Sequence, residues 1–275
     1  MEPYIDLIER IIKESDIVLE VVDARLIELS RNSDVENMIK EIGRPVIFVV
    51  NKSDLTSKDK IKKQVSKLKE EGEVVFINAK KRASSRILFN AIKKSFKKHG
   101  KREDYLPEGE KPQHREAKGR IVVGVVGYPN VGKSSIINIL SNKKKVKVSK
   151  RSGTTHGIHW IKGAEGIKLI DSPGVIPLSE GDEIRHGLIA AKSVERLKNP
   201  EIVADAIIRL FLKQNKKALE KFYSIEIEST INIDTEQILE AISIKRSHVI
   251  KGGMPDINRT AMMIVKDWQN GKLRM

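Results

Sequence analysis

The sequence predicts an α/β fold built on a parallel sheet, followed by a small all-helical domain. Two observations carry this prediction. In the first part of the chain, short apolar runs of strand length alternate with amphipathic helical stretches, which is typical of βα units around a parallel sheet. From residue 184 onward, apolar residues recur only at helical spacing. We therefore expect an α/β domain over residues 1–180 and a helical C-terminal domain over residues 184–275.

The elements of the α/β domain follow from these runs. Buried strands are predicted at 16–23, 45–50, 74–77, 120–126 and 167–170. Helices are predicted at 58–71, 87–96 and 133–140. The segment 99–119 contains charged residues, glycine and proline with almost no apolar content, so we expect a charged linker within this domain.

Three helix starts are recognisable in the C-terminal domain. Asn199-Pro200 opens one helix, Asp234 begins a capping box for a second, and Pro255 lies near the start of a last one. The last helix has an apolar stripe that includes Trp268. We expect such stripes to form the core of this domain rather than a ligand site.

Composition limits the location and the partners. No apolar run is long enough to cross a bilayer, and the N-terminus lacks the pattern of a signal peptide, so we expect a cytoplasmic protein with no membrane partner. The absence of cysteine excludes a disulfide partner. The net charge of +15 favours a polyanion such as nucleic acid over the alternative of a generally lysine-rich surface. With only 4% aromatic residues, recognition of backbone or shape is favoured over base stacking.

A phosphate-binding loop follows the strand at 120–126. Residues 127–134 read Gly-Tyr-Pro-Asn-Val-Gly-Lys-Ser and match the pattern G-x-x-x-x-G-K-[ST]. In such a loop backbone N–H groups surround the phosphates, Lys133 reaches the β- and γ-phosphates, and the Ser134 hydroxyl binds Mg²⁺. The predicted phosphate-binding residues are Asn130, Val131, Gly132, Lys133, Ser134 and Ser135.

A base-reading motif precedes this loop in the chain. Asn51, Lys52, Ser53 and Asp54 follow the strand at 45–50 and match N-K-x-D. A carboxylate at Asp54 accepts hydrogen bonds from guanine N1–H and N2, which adenine does not offer, so the pair of motifs predicts GTP and GDP rather than ATP. We expect Asn51 on the N7 side of the base and the Lys52 stem on its face.

Three further segments complete the predicted site. Asn78, Ala79 and Lys80 resemble the S-A-K loop, in which the Ala79 N–H would donate to guanine O6. Residues 171–174 match D-x-x-G, with Asp171 holding Mg²⁺ and the Gly174 N–H meeting the γ-phosphate. Of the two threonines in the switch position, we expect Thr155 to complete the Mg²⁺ shell.

The order of the motifs is permuted relative to Ras-like chains, because the base-reading pair comes before the phosphate-binding pair. A parallel sheet tolerates this rearrangement, since strand neighbours depend on space rather than on chain order. The linker at 99–119 lies where the former termini would be joined. The sequence thus predicts a circularly permuted Ras-like P-loop GTPase domain.

With this order, the Asp23-Ala24-Arg25 triplet, the segment 252–256 and Asp267-Trp268, the chain resembles the circularly permuted GTPases of the YlqF/RbgA and YawG type, which include nucleostemin-like proteins. The resemblance implies a GTP-hydrolysing factor for assembly of the large ribosomal subunit, with the helical domain contacting rRNA. The bacterial branch has a histidine motif near its N-terminus, whereas the first histidine here is His99. We therefore expect the archaeal or eukaryotic-like branch.

The hydrolytic residue is not identified by the sequence. Val175 occupies the position after D-x-x-G where Ras-type enzymes have a glutamine that orients the attacking water. Thr155 and Gly174 are expected to support the reaction. Asn130 resembles the asparagine that binds K⁺ in cation-stimulated relatives, so we expect slow turnover that K⁺ and ribosomal particles stimulate.

Two classes of function remain open at this stage. A run of basic residues at 143–151, with no acidic residue among them, favours an RNA-contacting surface and hence an rRNA-docking assembly GTPase. The alternative is a regulatory GTPase switch that binds a protein effector. An ATPase is a third, less favoured interpretation.

Overall fold

A computed structural model describes residues 4–81, 83–101, 121–141, 159–172, 182–227 and 234–275. The chain divides into two compact units. The first comprises the described residues of Met1–Asp54 and Lys58–Pro177, and the second comprises Leu55–Ser57 with the described residues of Leu178–Met275. Within the described residues, no helix combines the length and the apolar character that a membrane crossing requires.

A six-stranded sheet forms the centre of the first unit. Its strands are β1 (Ile17–Asp23), β2 (Val46–Asn51), β3 (Glu73–Phe76), β4 (Ile121–Val126), β5 (His159–Lys162) and β6 (Ile167–Asp171). Their spatial order is β3-β2-β1-β4-β6-β5, and all neighbours are parallel except β5 and β6. Strand β1 therefore lies between the strand that leads to the N-K-x-D motif and the strand that leads to the phosphate-binding loop.

The helices of this unit are α1 (Tyr4–Glu14), α2 (Ile27–Ser30), α3 (Ser33–Ile42), α4 (Lys58–Glu71), α5 (Ser84–His99) and α6 (Lys133–Leu140). Apolar residues of α1 and α3, among them Ile8, Ile11 and Ile39, join one buried cluster with strand residues. Leu68 of α4 joins a second cluster with Phe48 and Val50. A strand that apolar residues cover on both faces needs no alternation of polar and apolar positions. This is why β4 reads as a continuous apolar run and β1 as an apolar run interrupted only by Glu20 before its last residue.

The second unit is helical. Its helices are α7 (Glu183–Leu188), α8 (Pro200–Gln214), α9 (Lys216–Tyr223), α10 (Thr235–Lys245) and α11 (Ile257–Gln269), with a short 3-10 helix at Val194–Arg196. Trp268 is fully buried, packs edge-on against Phe211 with 6.0 Å between ring centroids, and donates its indole N–H to the Leu188 carbonyl at 2.8 Å. The apolar stripe of α11 is thus core, as its spacing predicted.

The predicted α/β fold class with a mostly parallel sheet is confirmed. All five predicted strands are present, and no strand end is shifted by more than one residue from its predicted position. The sequence did not indicate the antiparallel edge strand β5, because this strand has only four residues. The residues at both of its ends are polar and exposed. Five helices, α1, α2, α3, α7 and α9, were not assigned individually from the sequence. The predicted linker at 99–119 falls mostly outside the described residues.

Candidate nucleotide-binding site

The parallel strands bring the predicted motifs to one edge of the sheet. Asp23, Asn51 and Asp171 are the last residues of β1, β2 and β6, and Gly127 follows β4 directly. Register confirms their proximity, since Asp23 pairs with Asn51 and Val125 pairs with Asp171. Clefts at the carboxyl ends of parallel strands are where ligands bind in open α/β sheets.

The phosphate-binding loop has the backbone conformation that its glycines permit. Gly127 has a φ of 139°, and an added Cβ there would lie 2.5 Å from the Val21 carbonyl oxygen. Gly132 has a φ of 112°, and its Cβ would lie 2.2 Å from Nδ2 of Asn51. Helix α6 begins at the next residue, so its N-terminal N–H groups and the positive end of its dipole face the loop. This arrangement is suited to binding phosphate.

Lys133 lies inside this loop. Its ammonium group donates to the carbonyl oxygens of Gly127 at 2.6 Å and Tyr128 at 3.0 Å. Burial lowers the pKa of Lys133 to about 8, although the nearby Asp171 carboxylate opposes that effect. Burial raises the pKa of Asp171 to about 6, and Lys133 and His159 oppose that shift. The phosphate side of the site thus holds two buried charges that only partly compensate each other.

Asn51 connects the two halves of the site. Its Nδ2 donates to the Val131 carbonyl in the phosphate-binding loop at 2.9 Å, and its Oδ1 accepts the Ala79 N–H at 3.2 Å. The side chain is buried, with only 3% of its surface exposed. One amide therefore ties together two loops that the sequence places about fifty residues apart, and this role was not predicted for Asn51.

The loop at 78–80 is held by local hydrogen bonds. Asn78 Oδ1 accepts the Lys80 N–H at 2.9 Å, which gives the turn that a serine would otherwise form at this position. The Ser84 hydroxyl donates to the Asn78 carbonyl at 2.7 Å and accepts the Asn78 N–H at 3.2 Å. Ser84 was not identified from the sequence, although a serine at the start of a helix six residues beyond the motif is a signal for it.

The remaining base-reading residues lie at the surface of the same edge. Asp54 is exposed, Ser53 is half-buried, and the Ser53 N–H donates to the Ile77 carbonyl at 3.2 Å. Lys52 has a backbone φ of 58°, a left-handed conformation that a residue with a side chain adopts only where its surroundings hold it. The motif is thus exposed at Asp54, the residue expected to recognise guanine, and anchored at Lys52 and Ser53 just before it.

A buried ionic cluster beside Lys52 was not recognised as part of the site. Asp23 is 1% exposed and Arg25 is 3% exposed. Arg25 binds both carboxylate oxygens of Asp23, at 3.1 Å from Nε and 2.8 Å from Nη2, and the Lys52 ammonium donates to the same carboxylate at 2.7 Å. Although burial opposes it, the two cations hold the pKa of Asp23 well below its usual range. The sequence signal was an acidic residue at the end of an apolar strand.

The surroundings of Asp171 fit a magnesium ion. Oδ1 of Asp171 is buried and has no hydrogen-bond partner among the described residues, and its pKa is raised for that reason. A hard divalent cation with its waters would satisfy this oxygen, and Mg²⁺ in phosphate-transfer sites uses one or two carboxylates together with substrate phosphates. Among the described residues, no group of three or more acidic or histidine side chains is arranged for a metal, so the nucleotide itself would complete the shell.

Several predicted site residues lie outside the described residues. These are Thr155, Gly174 and Val175, together with the basic run at 143–151. The other predicted nucleotide-binding residues, at 51–54, 78–80 and 130–135, all belong to the first unit.

Known proteins that are similar to this chain include GTPases and GTP-binding proteins. The family of 50S ribosome-binding GTPases matches residues 122–242. A GTP-binding protein of Methanocaldococcus jannaschii is 36% identical over 271 residues, which cover 98% of this chain and 66% of that protein. Ribosome biogenesis GTPase A of Bacillus cereus is 29% identical, with 95% of this chain and 85% of that protein covered. A guanine nucleotide-binding protein-like 3 homolog of Caenorhabditis elegans is 29% identical over 100% of this chain and 50% of its own length.

The fold also has solved counterparts. GNP-bound YlqF from T. maritima superposes with a TM-score of 0.62 at 23% identity, covering 99% of this chain and 96% of that chain. A GDP-bound YlqF structure gives a TM-score of 0.60 at 22% identity. At these identities the likeness shows a shared fold. The chain spans about half to two thirds of the length of several curated relatives that it matches.

The sheet order and the loops at its edge define a P-loop nucleotide-binding protein in which the base-reading strand precedes the phosphate-binding strand in the chain. Within that class, the chain belongs to the YlqF/RbgA-type circularly permuted GTPases, as its motifs predicted. The identity to the Methanocaldococcus jannaschii protein, 36%, is higher than the identity to the Bacillus cereus protein, 29%.

Proposed function

We propose that this chain binds and hydrolyses GTP with Mg²⁺ and acts in ribosome assembly. One observation carries the nucleotide part of the proposal: Asn51 of the N-K-x-D motif bonds both the phosphate-binding loop and the 78–80 loop, so that one site contains both functions. Named relatives support the assembly part, since Ribosome biogenesis GTPase A and a nuclear GTP-binding protein of yeast align over most of this chain.

In the proposed site each residue has a distinct task. Lys133 would exchange its two carbonyl contacts for the β- and γ-phosphates, and the N-terminus of α6 would face the same charge. Asp54 would select guanine through two accepted hydrogen bonds. Bound Mg²⁺ supplies neutralisation of the phosphate charge that develops during transfer. Ser134 and Asp171 would hold that ion, with Thr155 completing its shell and the Gly174 N–H meeting the γ-phosphate.

Cation stimulation is a finer part of the proposal. Asn130 is half-buried and has a left-handed backbone φ of 59° within the phosphate-binding loop. We infer that K⁺ binds there and assists turnover, since Val175 offers no group that orients water. Turnover measured in KCl and in NaCl tests this point. A K⁺ response that persists unchanged in Asn130→Ala contradicts it.

The partner we propose is rRNA of the large subunit. Helix α5 contains Arg86, Lys93, Lys94, Lys97 and Lys98 with no acidic residue, and all five of these side chains are exposed. Lys93 and Lys94 have acidic neighbours at Glu165 and Glu73, which leaves Lys97 and Lys98 at the end of the helix as the better candidates for phosphate contacts. Such contacts give affinity that does not depend on base sequence.

The helical unit offers a second basic region. In the turn between α10 and α11, and at the adjoining helix ends, Lys245, Arg246, Lys251 and Arg259 are exposed. The acidic residue there, Asp256, caps α11 by accepting the Arg259 N–H at 3.0 Å. We propose that residues 184–275 form an RNA-binding domain and that residues 1–180 form the GTPase domain.

Co-sedimentation with large-subunit particles tests the proposed partner. We expect more protein on the particles with a non-hydrolysable GTP analogue than with GDP, and a steep loss of binding as salt rises. Lys97→Gln with Lys98→Gln, or a neutralised run at 143–151, should flatten that salt dependence. Replacing Lys13 and Lys40, which lie on α1 and α3, is the matched control. Binding that ignores both nucleotide and salt would instead favour the regulatory switch with a protein effector.

The location that we propose is the cytoplasm. The net charge of +15 and the absence of cysteine agree with it. Fractionation of cells followed by detection of the chain in the ribosomal pellet and the supernatant tests this, and recovery in the membrane fraction would contradict it.

A further inference from the structure

We propose that Asp23 and Arg25 form a positioning pair that fixes Lys52 and thereby sets the affinity for the guanine base. The inference rests on the guanine-nucleotide site proposed above and deepens it. Asp23 and Arg25 touch no part of the expected nucleotide themselves. They act through Lys52, the second residue of the N-K-x-D motif.

The contacts give Lys52 a defined position. Its ammonium donates to Asp23 Oδ2 at 2.7 Å, and the carboxylate is in turn fixed by three further N–H groups. Arg25 supplies all three, with its backbone N–H at 3.0 Å and Nε at 3.1 Å from Oδ1, and Nη2 at 2.8 Å from Oδ2. A carboxylate held by a planar, bidentate guanidinium has one orientation, so the ammonium that it binds has one place.

The backbone around this cluster is equally constrained. Asp23 and Asn51 are direct neighbours across β1 and β2, and the Ala24 N–H donates to the Asn51 carbonyl at 2.9 Å. The Asp23 N–H donates to the Ser30 hydroxyl at 2.9 Å, which links the cluster to α2. Lys52 therefore has its left-handed backbone and the end of its side chain fixed by the same two strands.

The consequence concerns the stem between these two fixed points. Four methylene groups join the backbone of Lys52 to the anchored ammonium, and a stem held at both ends presents a preformed apolar surface. A free lysine loses rotamer freedom when a base packs on it, whereas an anchored one has already lost that freedom on folding. The pair at Asp23 and Arg25 therefore strengthens guanine binding by preorganisation.

Titration of a fluorescent GDP analogue against four variants tests the inference. We expect Asp23→Asn and Lys52→Met each to weaken binding about tenfold, because each removes one charge-assisted hydrogen bond that fixes the stem. The double variant should bind no more weakly than Lys52→Met alone, since both changes release the same anchor. The matched control is Asp16→Asn, a buried aspartate at the other end of β1 whose Oδ2 accepts the Val122 N–H at 2.7 Å. It should leave the affinity unchanged.

The possible outcomes separate this inference from the proposed function. If wild-type protein fails to bind the analogue, the proposed guanine site itself is wrong. If wild-type protein binds but Asp23→Asn stays within twofold of it, or if the effects at 23 and 52 add, the positioning role is wrong. Should Asp23→Asn not fold, Asp23→Asn with Arg25→Met removes the pair rather than one partner and should still weaken binding about tenfold.

Discussion

Two aspartates at the same edge of the sheet illustrate how differently one fold can treat a buried carboxylate. Asp23 ends β1 and Asp171 ends β6, and only 1% and 3% of their surfaces are exposed. Asp23 is bound by Arg25 and Lys52, and its pKa is held low. Asp171 has one oxygen with no hydrogen-bond partner among the described residues, and its pKa is raised to about 6.

The difference distinguishes a residue that completes the fold from one that is prepared for a ligand. A carboxylate whose oxygens are all bound by cationic side chains of the protein stabilises the folded state around it. It has no oxygen left to bind a ligand. A carboxylate that is buried with an unsatisfied oxygen lowers the stability of the protein at neutral pH, and a bound cation removes that cost. We therefore propose that Asp23 belongs to the architecture of the base-reading side and that Asp171 binds the metal on the phosphate side.

The largest expected effect is on the paired carboxylate. Asp23→Asn leaves the buried Arg25 without its counter-charge, so we expect the free energy of unfolding to fall by about 3 kcal/mol. Urea denaturation at pH 7 measures this. Glu14→Gln, which removes the exposed pair with Arg10, is a suitable control and should change stability by less than about 0.5 kcal/mol. Equal effects of the two substitutions would show that the cluster at Asp23 is not the anchor described.

On the phosphate side, Lys133→Met should weaken GDP binding by about a hundredfold, because it removes a charged donor to the phosphates. Stability without nucleotide should not fall, since the buried ammonium with its lowered pKa disfavours the folded state near neutral pH. Isothermal titration with GDP and a denaturation curve test the two halves of this expectation. A stable variant that binds GDP normally would separate Lys133 from the phosphates.

Asp171→Asn provides the pH test of the comparison. The pKa of Asp171 is about 6 in the folded state and 3.8 in the unfolded state, so folding favours the protonated carboxyl. The stability that the protonated carboxyl contributes is therefore fully present below pH 4 and is lost as the pH rises through 6. Replacement by the neutral amide should therefore stabilise the nucleotide-free protein by up to about 3 kcal/mol at pH 7 and by almost nothing at pH 4. Mg²⁺ should no longer strengthen nucleotide binding. Destabilisation at pH 7 would mean that Asp171 is paired as Asp23 is.

The smallest effect expected is at the connection between the two sides. Asn51→Ala removes two neutral hydrogen bonds, to Val131 and from Ala79, and should lower the free energy of unfolding by about 1–2 kcal/mol. GDP affinity should fall as well, because the two loops lose their common support. The control is Asn78→Ala, which removes the bond from the Lys80 N–H within one loop and leaves the connection intact. Identical affinities for the two variants would argue against a bridging role.

The phosphate side was largely predictable from the sequence, because its geometry depends on local backbone conformation. Glycines at 127 and 132, a lysine and a serine at fixed spacing identify the loop wherever it occurs. The parallel strands were predictable for a related reason, since fully buried strands read as continuous apolar runs.

The base-reading side was predictable only in its motif. Its support comes from residues that are distant in sequence, such as Asp23 for Lys52 and Asn51 for Val131, and no spacing rule connects them. Pairing of β1 with both β2 and β4 creates these contacts, and that strand order is a property of the folded sheet. The polar edge strand β5 was missed because periodicity indicates only strands that are buried on at least one face.

The central claim is that one site reads guanine and binds phosphate although its two halves are reversed in the chain. Competition against a bound fluorescent GDP analogue in the presence of Mg²⁺ tests it most directly, with unlabelled GDP and ADP as competitors for wild-type protein and for Asp54→Asn. We predict that GDP displaces the analogue from wild-type protein at a concentration on the order of a hundredfold lower than ADP does, and that Asp54→Asn loses most of that preference. Equal displacement by GDP and ADP, or a preference that survives Asp54→Asn, would contradict it.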